Sequence, residues 1–303
     1  NGKSHRSGAR HSAIRQPTVQ IPPPLNQTFL FYVTFTLTTI YCFGCKTGTF
    51  RKARYMSSSS RKVAVITGAA TGVGRATAIQ FAKQGFHIVV NYSQSEKEAA
   101  ETVNQIKMHG VETLMHACDI SDNSAVQQMF QQIHQHFGQI NVLVNNAGTT
   151  FFVDHQNLDE MTEEKWDRIL AVNVKGTFFC SRSAIPFLKQ SENSAIVNVS
   201  SCAGISGGGS CIAYAASKAA VNALTKSFAR SLAPKIRVNA VCPGPIDTRW
   251  VADHVEHVTK SLSITPMNRT STADDIADTI MYLAIGTTMT TGQCLVVDGG
   301  RTV

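Results

Sequence analysis

The stretch "KVAVITGAATGVGRATAIQFAK" (62–83) decides the fold that this sequence predicts. It begins with a short apolar run, continues through a turn containing Gly68, Gly72 and Gly74, and passes directly into a pattern with helical spacing. Glycine allows backbone conformations closed to other residues, and the first turn of a helix offers unpaired N–H donors to an anion. The spacing GxxxGxG differs from the commonest dinucleotide pattern, GxGxxG, so the flanking strand and helix carry much of the argument. Together they predict a nucleotide-binding turn.

Short apolar runs alternate with helical patterns over the rest of the chain. Seven runs have the near-continuous hydrophobicity of parallel strands buried on both faces: 62–67, 87–91, 112–118, 140–146, 195–201, 236–242 and 293–298. Between them, helices are expected to begin at Asp122 and Thr162, and Thr272 with Asp275 resembles a capping box. Pro186 should kink or shorten the second of these helices near its end. This alternation predicts a doubly wound α/β sheet.

Charge is distributed unevenly along the 303 residues. The net charge of +8 suggests nucleic-acid binding until it is located, because residues 1–55 hold eight Lys and Arg residues and no Asp or Glu. Residues 56–303 carry 20 Lys/Arg and 20 Asp/Glu, so this part of the chain is electrically neutral. We therefore expect no nucleic-acid partner.

Residues 1–55 form a basic, acid-free N-terminal extension with three open interpretations. The 18 uncharged residues 28–45 are borderline in length for a membrane anchor, and the acid-free composition also fits an organelle presequence. Upstream translated sequence ahead of a start at Met56 is the third interpretation. We expect 56–303 to form a single domain that stays out of the membrane. It would be cytoplasmic if the chain starts at Met56, and mitochondrial, plastid or membrane-anchored if the extension is real.

The eight cysteines lack the regular spacing of a disulfide framework, which favours a reducing compartment. The CxxC at Cys42 and Cys45 stands alone, without the second pair expected of a zinc site. Cys202 is either a buried small residue or an oxidation-sensitive thiol, and burial is the preferred interpretation. The ten histidines show no metal-ligand spacing, so no metal site is expected.

The stretch "YAASK" (214–218) places a phenol and an ammonium four residues apart. On a helix these positions share a face, so Lys218 would lie beside Tyr214. A free tyrosine has a pKa of about 10, and an adjacent cation stabilises its phenolate. Tyr214 would then be a usable acid or base near neutral pH. Taken alone, an ordinary Tyr/Lys pair on an exposed helix is the alternative interpretation.

Eight motifs in order resemble those of the short-chain dehydrogenase/reductase family, over essentially all of residues 62–303. They are "TGAATGVG" (67–74), "CDI" (118–120), "NNAG" (145–148), Asn173 in "AVNVKG", Ser201 thirteen residues before Tyr214, "YAASK", "PGPIDT" (243–248) and "TGQCLVVDGG" (291–300). One such match carries little weight, whereas eight in order are specific. The resemblance implies a Rossmann-type, doubly wound α/β fold with a seven-stranded parallel sheet flanked by helices on both faces.

The resemblance also implies roles for four catalytic residues. Tyr214 would protonate the carbonyl oxygen in a reduction, Lys218 would lower the pKa of Tyr214 and bind the nicotinamide ribose, and Ser201 would hydrogen-bond the substrate oxygen. Asn173 would hold a water that links Lys218 to solvent, or would only satisfy backbone groups inside a bent helix. Ser201 is preferred to Ser200 by its spacing to Tyr214, and neighbours along a strand face opposite sides.

The cofactor contacts implied by the resemblance line the same edge of the sheet. Asp119 and Ile120 would border the adenine, and "PGPIDT" would cradle the nicotinamide amide through its backbone and Thr248. Asn146 is either a cofactor contact or structural packing. The full predicted set is Gly68, Thr71, Gly72, Val73, Gly74, Arg75, Asn91, Asp119, Ile120, Asn146, Ala147, Gly148, Tyr214, Lys218, Pro243, Gly244, Ile246 and Thr248.

The cofactor is expected to be NADP(H) in preference to NAD(H). The acid that would accept a bond from the 2′-hydroxyl of NAD is missing from "VVNYSQS" (89–95), which includes Asn91. A carboxylate there would repel a 2′-phosphate, so its absence permits NADP. No Arg stands in that stretch to attract the phosphate, and Arg75, just after the last glycine of the turn, is expected to be the nearest cation.

The substrate is expected to be a small carbonyl compound or acyl thioester. Within the family the pattern is closest to the 3-oxoacyl-(acyl-carrier-protein) reductase type, which implies an NADPH-dependent 3-oxoacyl or general ketone reductase. An NAD-dependent alcohol, steroid or sugar dehydrogenase and a catalytically silent dinucleotide-binding sensor are the alternatives. Specificity should reside in an apolar-lined lid from Arg249 to about Thr270, and Arg182, Arg249 and Lys260 are available to a carrier protein.

The family resemblance also implies a homotetramer or homodimer. Its members commonly pair through two long helices, which here would cover about 163–190 and 213–233. Alanines including Ala219 and Ala223 give the second helix a small-residue surface suited to close packing. The same alanines could pack on the sheet instead.

Overall fold

The computed structural model describes Gly2, residues 61–248, Thr259 and residues 262–303. Its strands are β1 (Val63–Ile66), β2 (His87–Tyr92), β3 (Thr113–Ala117), β4 (Val142–Asn145), β5 (Ser194–Val199), β6 (Ile236–Pro243) and β7 (Cys294–Val297). Its α-helices are α1 (Gly72–Lys83), α2 (Glu96–Lys107), α3 (Asn123–Phe137), α4 (Glu163–Leu170), α5 (Thr177–Leu188), α6 (Ala203–Ser206), α7 (Ile212–Leu232) and α8 (Ala273–Met281). The expectations for 1–55, and for Arg249 and Lys260 in the lid, lie outside the described residues.

The seven strands form one parallel sheet in the order β3-β2-β1-β4-β5-β6-β7. All seven predicted strands are confirmed, each within two residues of its predicted bounds. The order reverses between β1 and β4, where Ala64 to Ile66 align with Val142 to Val144. In a doubly wound sheet a cleft opens at the carboxyl ends of the strands beside such a reversal, and that is where a ligand site is expected.

Helices cover both faces of the sheet, as the sequence predicts. One buried cluster joins α1, α2 and α8 to the sheet through fully buried residues such as Phe81, Ile106 and Ile280. The other joins α3, α5 and α7 to the opposite face, with Phe130 and Leu188 fully buried. Among the residues that the structure describes, no helix is both long and apolar enough to span a membrane.

Two predicted helix starts are confirmed by their caps. The Asp122 carboxylate accepts the backbone N–H groups of Ser124 and Ala125 at 2.8 and 3.1 Å. Thr272 Oγ1 accepts the Asp275 N–H at 3.1 Å while the Asp275 carboxylate accepts the Thr272 N–H at 2.8 Å, which is the predicted capping box. Each cap satisfies N–H groups that have no partner within their own helix.

The predicted long helix over about 163–190 is confirmed as an unbroken helical segment from Glu163 to Leu188, but it is not α-helical throughout. Residues Ala171–Gly176 form a π-helical turn between α4 and α5, and π turns within helices occur often at functional sites. The helix continues two residues past Pro186 and ends at Leu188. The second predicted helix, 213–233, corresponds to α7.

Candidate active site

The glycine turn after β1 is packed too tightly for side chains. Gly68 has a φ of +61°, and a Cβ there would lie 2.9 Å from the Cα of Ala147. A Cβ at Gly74 would lie 2.3 Å from the carbonyl oxygen of Gly68 and 2.5 Å from Asn146 Nδ2. The turn leads into α1 at Gly72, which lines the cleft at the carboxyl ends of the strands.

Asn146 fastens this turn to the end of β4. Its Nδ2 donates to the carbonyl oxygens of Thr67 and Gly68 at 2.9 and 3.0 Å. The hydroxyl of Thr67 accepts the backbone N–H groups of Asn146 and Ala147, both at 3.0 Å. The Asn146 amide therefore packs the turn, although the residue also lines the cleft.

Asn91 ties together the ends of the first three strands. Its side chain is buried, Oδ1 accepts the N–H of Gly68 at 3.3 Å, and Nδ2 donates to the carbonyl oxygen of Cys118 at 3.0 Å. The residue lines the floor of the cleft, but its polar atoms bond the main chain. Exposed Ser93 and Gln94 line the same end of the cleft and are better placed to meet a ligand.

Arg75 does not line the cleft in the structure. Its guanidinium faces α2, where Nε donates to Thr102 Oγ1 at 2.8 Å and Nη2 pairs with Glu101 at 3.3 Å. Because Arg75 sits on the first turn of α1, its closeness to the glycines along the chain does not bring its charge to the ligand side. Its expected role as the cation nearest a 2′-phosphate is therefore not supported by the geometry.

The predicted adenine end is built around Asp119. Its carboxylate pairs with Arg168 of α4 at 3.0 Å and accepts the Ser121 N–H at 2.9 Å. Burial opposes ionisation, but the bonds from Ser121 and Arg168 prevail and hold the pKa of Asp119 below its usual range. Ile120 follows in the cleft wall and touches the position where Gly176 would carry a Cβ.

Ser201 and Tyr214 meet at the other end of the cleft. Their side chains are hydrogen-bonded, and Ser201 Oγ also accepts the Ala203 N–H at 3.1 Å. Ser200, by contrast, is buried and donates to the carbonyl oxygen of Lys218 at 3.0 Å. The structure therefore brings Ser201, and not Ser200, to the phenol.

Lys218 lies under the phenol ring. Its ammonium is 5.5 Å from the ring centroid of Tyr214 and donates to the carbonyl oxygen of Val199 at 2.8 Å. The side chain is buried, and α6 packs directly on the backbone of α7 here: a Cβ at Gly204 would lie only 2.5 Å from the carbonyl carbon of Lys218. The predicted sharing of one helix face by Tyr214 and Lys218 is confirmed.

Asn173 occupies the π turn and does not line the cleft. Its Oδ1 accepts the Thr149 N–H at 2.8 Å, and its Nδ2 donates to the Thr149 carbonyl and to Ser217 Oγ, each at 3.0 Å. These bonds correspond to the interpretation in which Asn173 satisfies backbone groups. A water held for Lys218 stays a prediction.

Burial is the main influence on the pKa values of Tyr214 and Lys218. It raises the pKa of Tyr214 to about 12, and the hydrogen bond with Ser201 only partly opposes it. Burial also lowers the pKa of Lys218 to about 8. The expected lowering of the Tyr214 pKa by Lys218 is thus not found here, because burial is the largest influence on the phenol. At neutral pH the phenol holds its proton.

A cleft of about 420 Å³ joins the two ends. The predicted residues that line it are Gly68, Thr71, Gly72, Val73, Asn91, Asp119, Ile120, Asn146, Ala147, Gly148, Ser201, Tyr214, Lys218, Pro243, Gly244, Ile246 and Thr248. Gly74, Arg75 and Asn173 support the site without lining it. Four lining residues that sequence reasoning missed are Thr150, Arg168, Ser210 and Arg301. They belong to no motif quoted above, and only the folded chain brings them to the cleft.

The residues present fit a dinucleotide. The glycine turn lets a pyrophosphate approach the main chain at the start of α1, since any Cβ at Gly68 or Gly74 would meet backbone atoms. Hydroxyl and amide groups of Ser93 and Gln94 suit the ribose end. Residues 243–248 and Lys218 would hold the nicotinamide half near Tyr214.

Comparisons with known proteins show the family to which the chain belongs. The profile of a family described as enoyl-(acyl carrier protein) reductase matches residues 68–302. The 3-oxoacyl-(acyl-carrier-protein) reductase FabG of Staphylococcus aureus is 38% identical over 244 residues, which cover 79% of this chain and 97% of that protein. FabG of Thermotoga maritima is 36% identical over 251 residues, covering 80% of this chain and 98% of that one.

A solved structure agrees as well. The short-chain dehydrogenase of Burkholderia cenocepacia in complex with NADP is 31% identical and superimposes with a TM-score of 0.75, covering 80% of this chain and 98% of its own. The family profile covers most of the chain, and these relatives are more than 30% identical over nearly their whole length. The chain therefore belongs to the short-chain dehydrogenase/reductase family and is an NAD(P)-dependent oxidoreductase that interconverts carbonyl and alcohol groups.

Proposed function

We propose that this protein reduces ketones with NADPH and that 3-oxoacyl compounds are its substrate class. The observation that carries the proposal is the contact of Ser201 with Tyr214, above Lys218, at the end of a glycine-lined cleft. The substrate class is supported by the two relatives named as 3-oxoacyl-(acyl-carrier-protein) reductases.

Tyr214 serves as the general acid in this proposal. Because burial raises its pKa to about 12, the phenol carries a proton at neutral pH and can pass it to a carbonyl oxygen. Ser201 Oγ hydrogen-bonds the same oxygen and stabilises the negative charge that develops on it. When bound, the nicotinamide supplies the hydride for the carbonyl carbon. The ammonium of Lys218 then stabilises the phenolate that remains.

The preference for NADPH rests on the lining of the ribose end. Ser93 and Gln94 are exposed there, and Asp119 is the one acid among the described lining residues. Its carboxylate is already paired with Arg168. Neutral donors without a free carboxylate tolerate a 2′-phosphate, and a relative binds NADP in its structure.

The test is the absorbance decay at 340 nm with an acetoacetyl thioester and either NADPH or NADH. We expect a kcat/KM about tenfold higher with NADPH, and a kcat at least about a hundredfold lower for Tyr214→Phe. Ser93→Asp should reduce the preference for NADPH, whereas Ser93→Asn should retain it. A preference for NADH would favour an NAD-dependent dehydrogenase instead. Tight NADPH binding without turnover of thioesters, diketones or steroids would favour a silent sensor.

The proposal does not extend to a particular acyl carrier. Arg182, the one suggested carrier contact that the structure describes, lies over the rings of Phe178 and Phe179 at 5.4 and 5.5 Å from their centroids. It lines no part of the cleft. The Arg182 guanidinium therefore packs against aromatic rings of its own helix, α5.

Self-association through α7 belongs to the same proposal. Ala216, Ala219 and Ala223 are exposed on one side of the helix, whereas Ala215 and Ala229 are buried. An exposed small-residue surface permits the close approach of a second α7, as in a homodimer or homotetramer. Light scattering during gel filtration should show an oligomer that Ala219→Arg dissociates. Gln127→Arg, a charge added on α3, should leave it intact.

A further inference from the structure

Arg301 lies at the catalytic end of the cleft. It follows β7 in the chain, lines the same cleft as Tyr214, and its Nη1 is 3.9 Å from the sulfur of Cys202. Cys202 is the neighbour in sequence of Ser201, which bonds the phenol. Arg301, Ser201 and Tyr214 therefore line the same cleft, and the guanidinium contacts the residue that follows Ser201.

The segment that carries Arg301 is held in place by its surroundings. The carboxylate of Asp298 accepts the N–H groups of Gly300 and Thr302 at 2.9 and 3.0 Å and the Thr302 hydroxyl at 2.7 Å. Asp298 also lies directly against Gly244, where a Cβ would come within 2.9 Å of the Asp298 Cβ. Arg301 is thus presented from an ordered turn.

Arg301 carries a charge that the described part of the chain does not neutralise. The described lining holds three cations, of which Arg168 pairs with Asp119 and Lys218 is buried under Tyr214. Within the described residues, no carboxylate lies at ion-pair distance from Arg301, and the Asp298 carboxylate is bonded to the turn. Burial raises the pKa of Cys202, so the nearby thiol stays neutral.

We propose that Arg301 forms an anion subsite that selects ketone substrates bearing a carboxylate a few bonds from the reacting carbonyl. A guanidinium binds a carboxylate through paired, charge-assisted hydrogen bonds, which are strong where water is partly excluded. Short 3-oxo and 4-oxo acids have this charge at this spacing. The inference rests on the proposed ketone reduction and, within the 3-oxoacyl class, favours free acids over their uncharged esters and thioesters.

The test compares matched pairs of substrates with the full chain: acetoacetate against methyl acetoacetate, and levulinate against methyl levulinate. We expect the wild type to favour the acid over its ester. Arg301→Gln should raise KM for the acids about tenfold, while KM for the esters and for NADPH changes less than about twofold. Arg301→Lys should restore part of the preference for the acids. Arg61→Gln, a change just before β1 and outside the cleft lining, should leave all these KM values unchanged.

Three results would overturn the subsite. Equal losses on acid and ester in Arg301→Gln would assign Arg301 to the fold, and a raised KM for NADPH would assign it to the cofactor. If the only preference found is for dihydroxyacetone phosphate over dihydroxyacetone, the anion that Arg301 binds would be a phosphate and not a carboxylate. The control is turnover of the esters, which should be present in the wild type and lost in Tyr214→Phe. If this control holds, the proposed reduction stands, and the three results above bear on the subsite alone.

Discussion

The ammonium of Lys218 lies under the ring of Tyr214, 5.5 Å from its centroid, and donates to the carbonyl oxygen of Val199 at the end of β5. In this position the ammonium is attracted to the face of the aromatic ring, and its bond to β5 holds it in place. Burial sets the pKa of both side chains in opposite directions. The working pH range of the site therefore depends on Lys218 more than on Tyr214.

Ketone reduction should fail on the alkaline side as Lys218 loses its proton. Its pKa is lowered to about 8, so the ammonium is present below that pH and is lost as the pH rises through it. Tyr214, with a pKa of about 12, still carries its proton there. We expect kcat/KM to bend near pH 8 and to fall by about tenfold per pH unit above it.

The control is a variant that keeps the charge. Lys218→Arg should retain a small activity without the alkaline bend, because a guanidinium does not lose its proton in this range. Lys218→Met should lose activity at every pH. A profile for the wild type that stays flat to pH 10 would contradict the assignment of the bend to Lys218.

Gly74→Ala should destabilise the protein without adding any contact to the substrate. The new Cβ would lie 2.3 Å from the Gly68 carbonyl oxygen and 2.5 Å from Asn146 Nδ2, and overpacking of this kind costs about 1–3 kcal/mol. We expect the Tm to fall by roughly 3–10 °C and KM for NADPH to rise. Gly208→Ala is the matched control, because the nearest atom to its Cβ is 3.5 Å away. Equal Tm values for both variants would contradict the packing argument.

The sequence predicted the sheet because each strand is a short, largely apolar run, and the central strands are buried on both faces, whereas the edge strands β3 and β7 are partly exposed. The bounds of a strand follow from its composition, as in β1, where Val63 to Ile66 are all fully buried. The π turn at Ala171–Gly176 escaped prediction because a change in hydrogen-bond register leaves the apolar pattern intact. Within this turn, Asn173 bonds Thr149, a residue 24 positions away that the local pattern does not point to.

The motif residues of the site were predictable from the sequence, but the direction in which each charged side chain points was not. Arg75 is next to the glycine turn in sequence, yet its position on α1 directs it to Glu101 and Thr102. Arg168 lies three residues before "AVNVKG" and Arg301 directly follows "TGQCLVVDGG", but neither motif indicates that these charges line the cleft. Side-chain direction depends on contacts between distant segments, which a local pattern does not contain.

Asn91→Asp should destabilise the fold and should not by itself switch the cofactor. The substitution removes the Nδ2 donor to the Cys118 carbonyl and places a carboxyl group among carbonyl oxygens in a buried position. Losing this bond and burying a charge should cost about 2–4 kcal/mol at neutral pH. Ser93→Asp, at an exposed lining position, is the variant that should shift the preference towards NADH.

The sign of the pH dependence checks this argument. The buried environment should raise the pKa of the introduced carboxyl, so the folded state binds a proton that the unfolded state has released. Stability of Asn91→Asp relative to the wild type should therefore fall as the pH rises from 5 to 8. Thermal unfolding at the two pH values measures it. An equal difference in Tm at both values would show that the carboxyl group is solvated.

Cys294 should be the most reactive of the cysteines that the structure describes. A hydrogen bond with Cys242 lowers the pKa of Cys294 to about 7, burial opposes the shift, and the charge of Lys226 adds to it. Both sulfurs contact Asn222, at 3.6 Å for Cys242 and 4.0 Å for Cys294. By contrast, burial raises the pKa of the Cys118 thiol to about 11. Since the thiolate is the reactive form, alkylation should begin at β7.

Iodoacetamide labelling followed by peptide mass spectrometry measures this order. We expect the Cys294 peptide to be modified first at pH 7, with a rate that rises between pH 6 and 8 and then levels off. Lys226→Gln should raise the pKa of Cys294 and slow labelling at pH 7 severalfold, whereas Lys235→Gln, an exposed charge after α7, should not. Labelling of Cys118 or Cys202 at the same rate would show that exposure by local opening, and not the thiol pKa, controls reactivity.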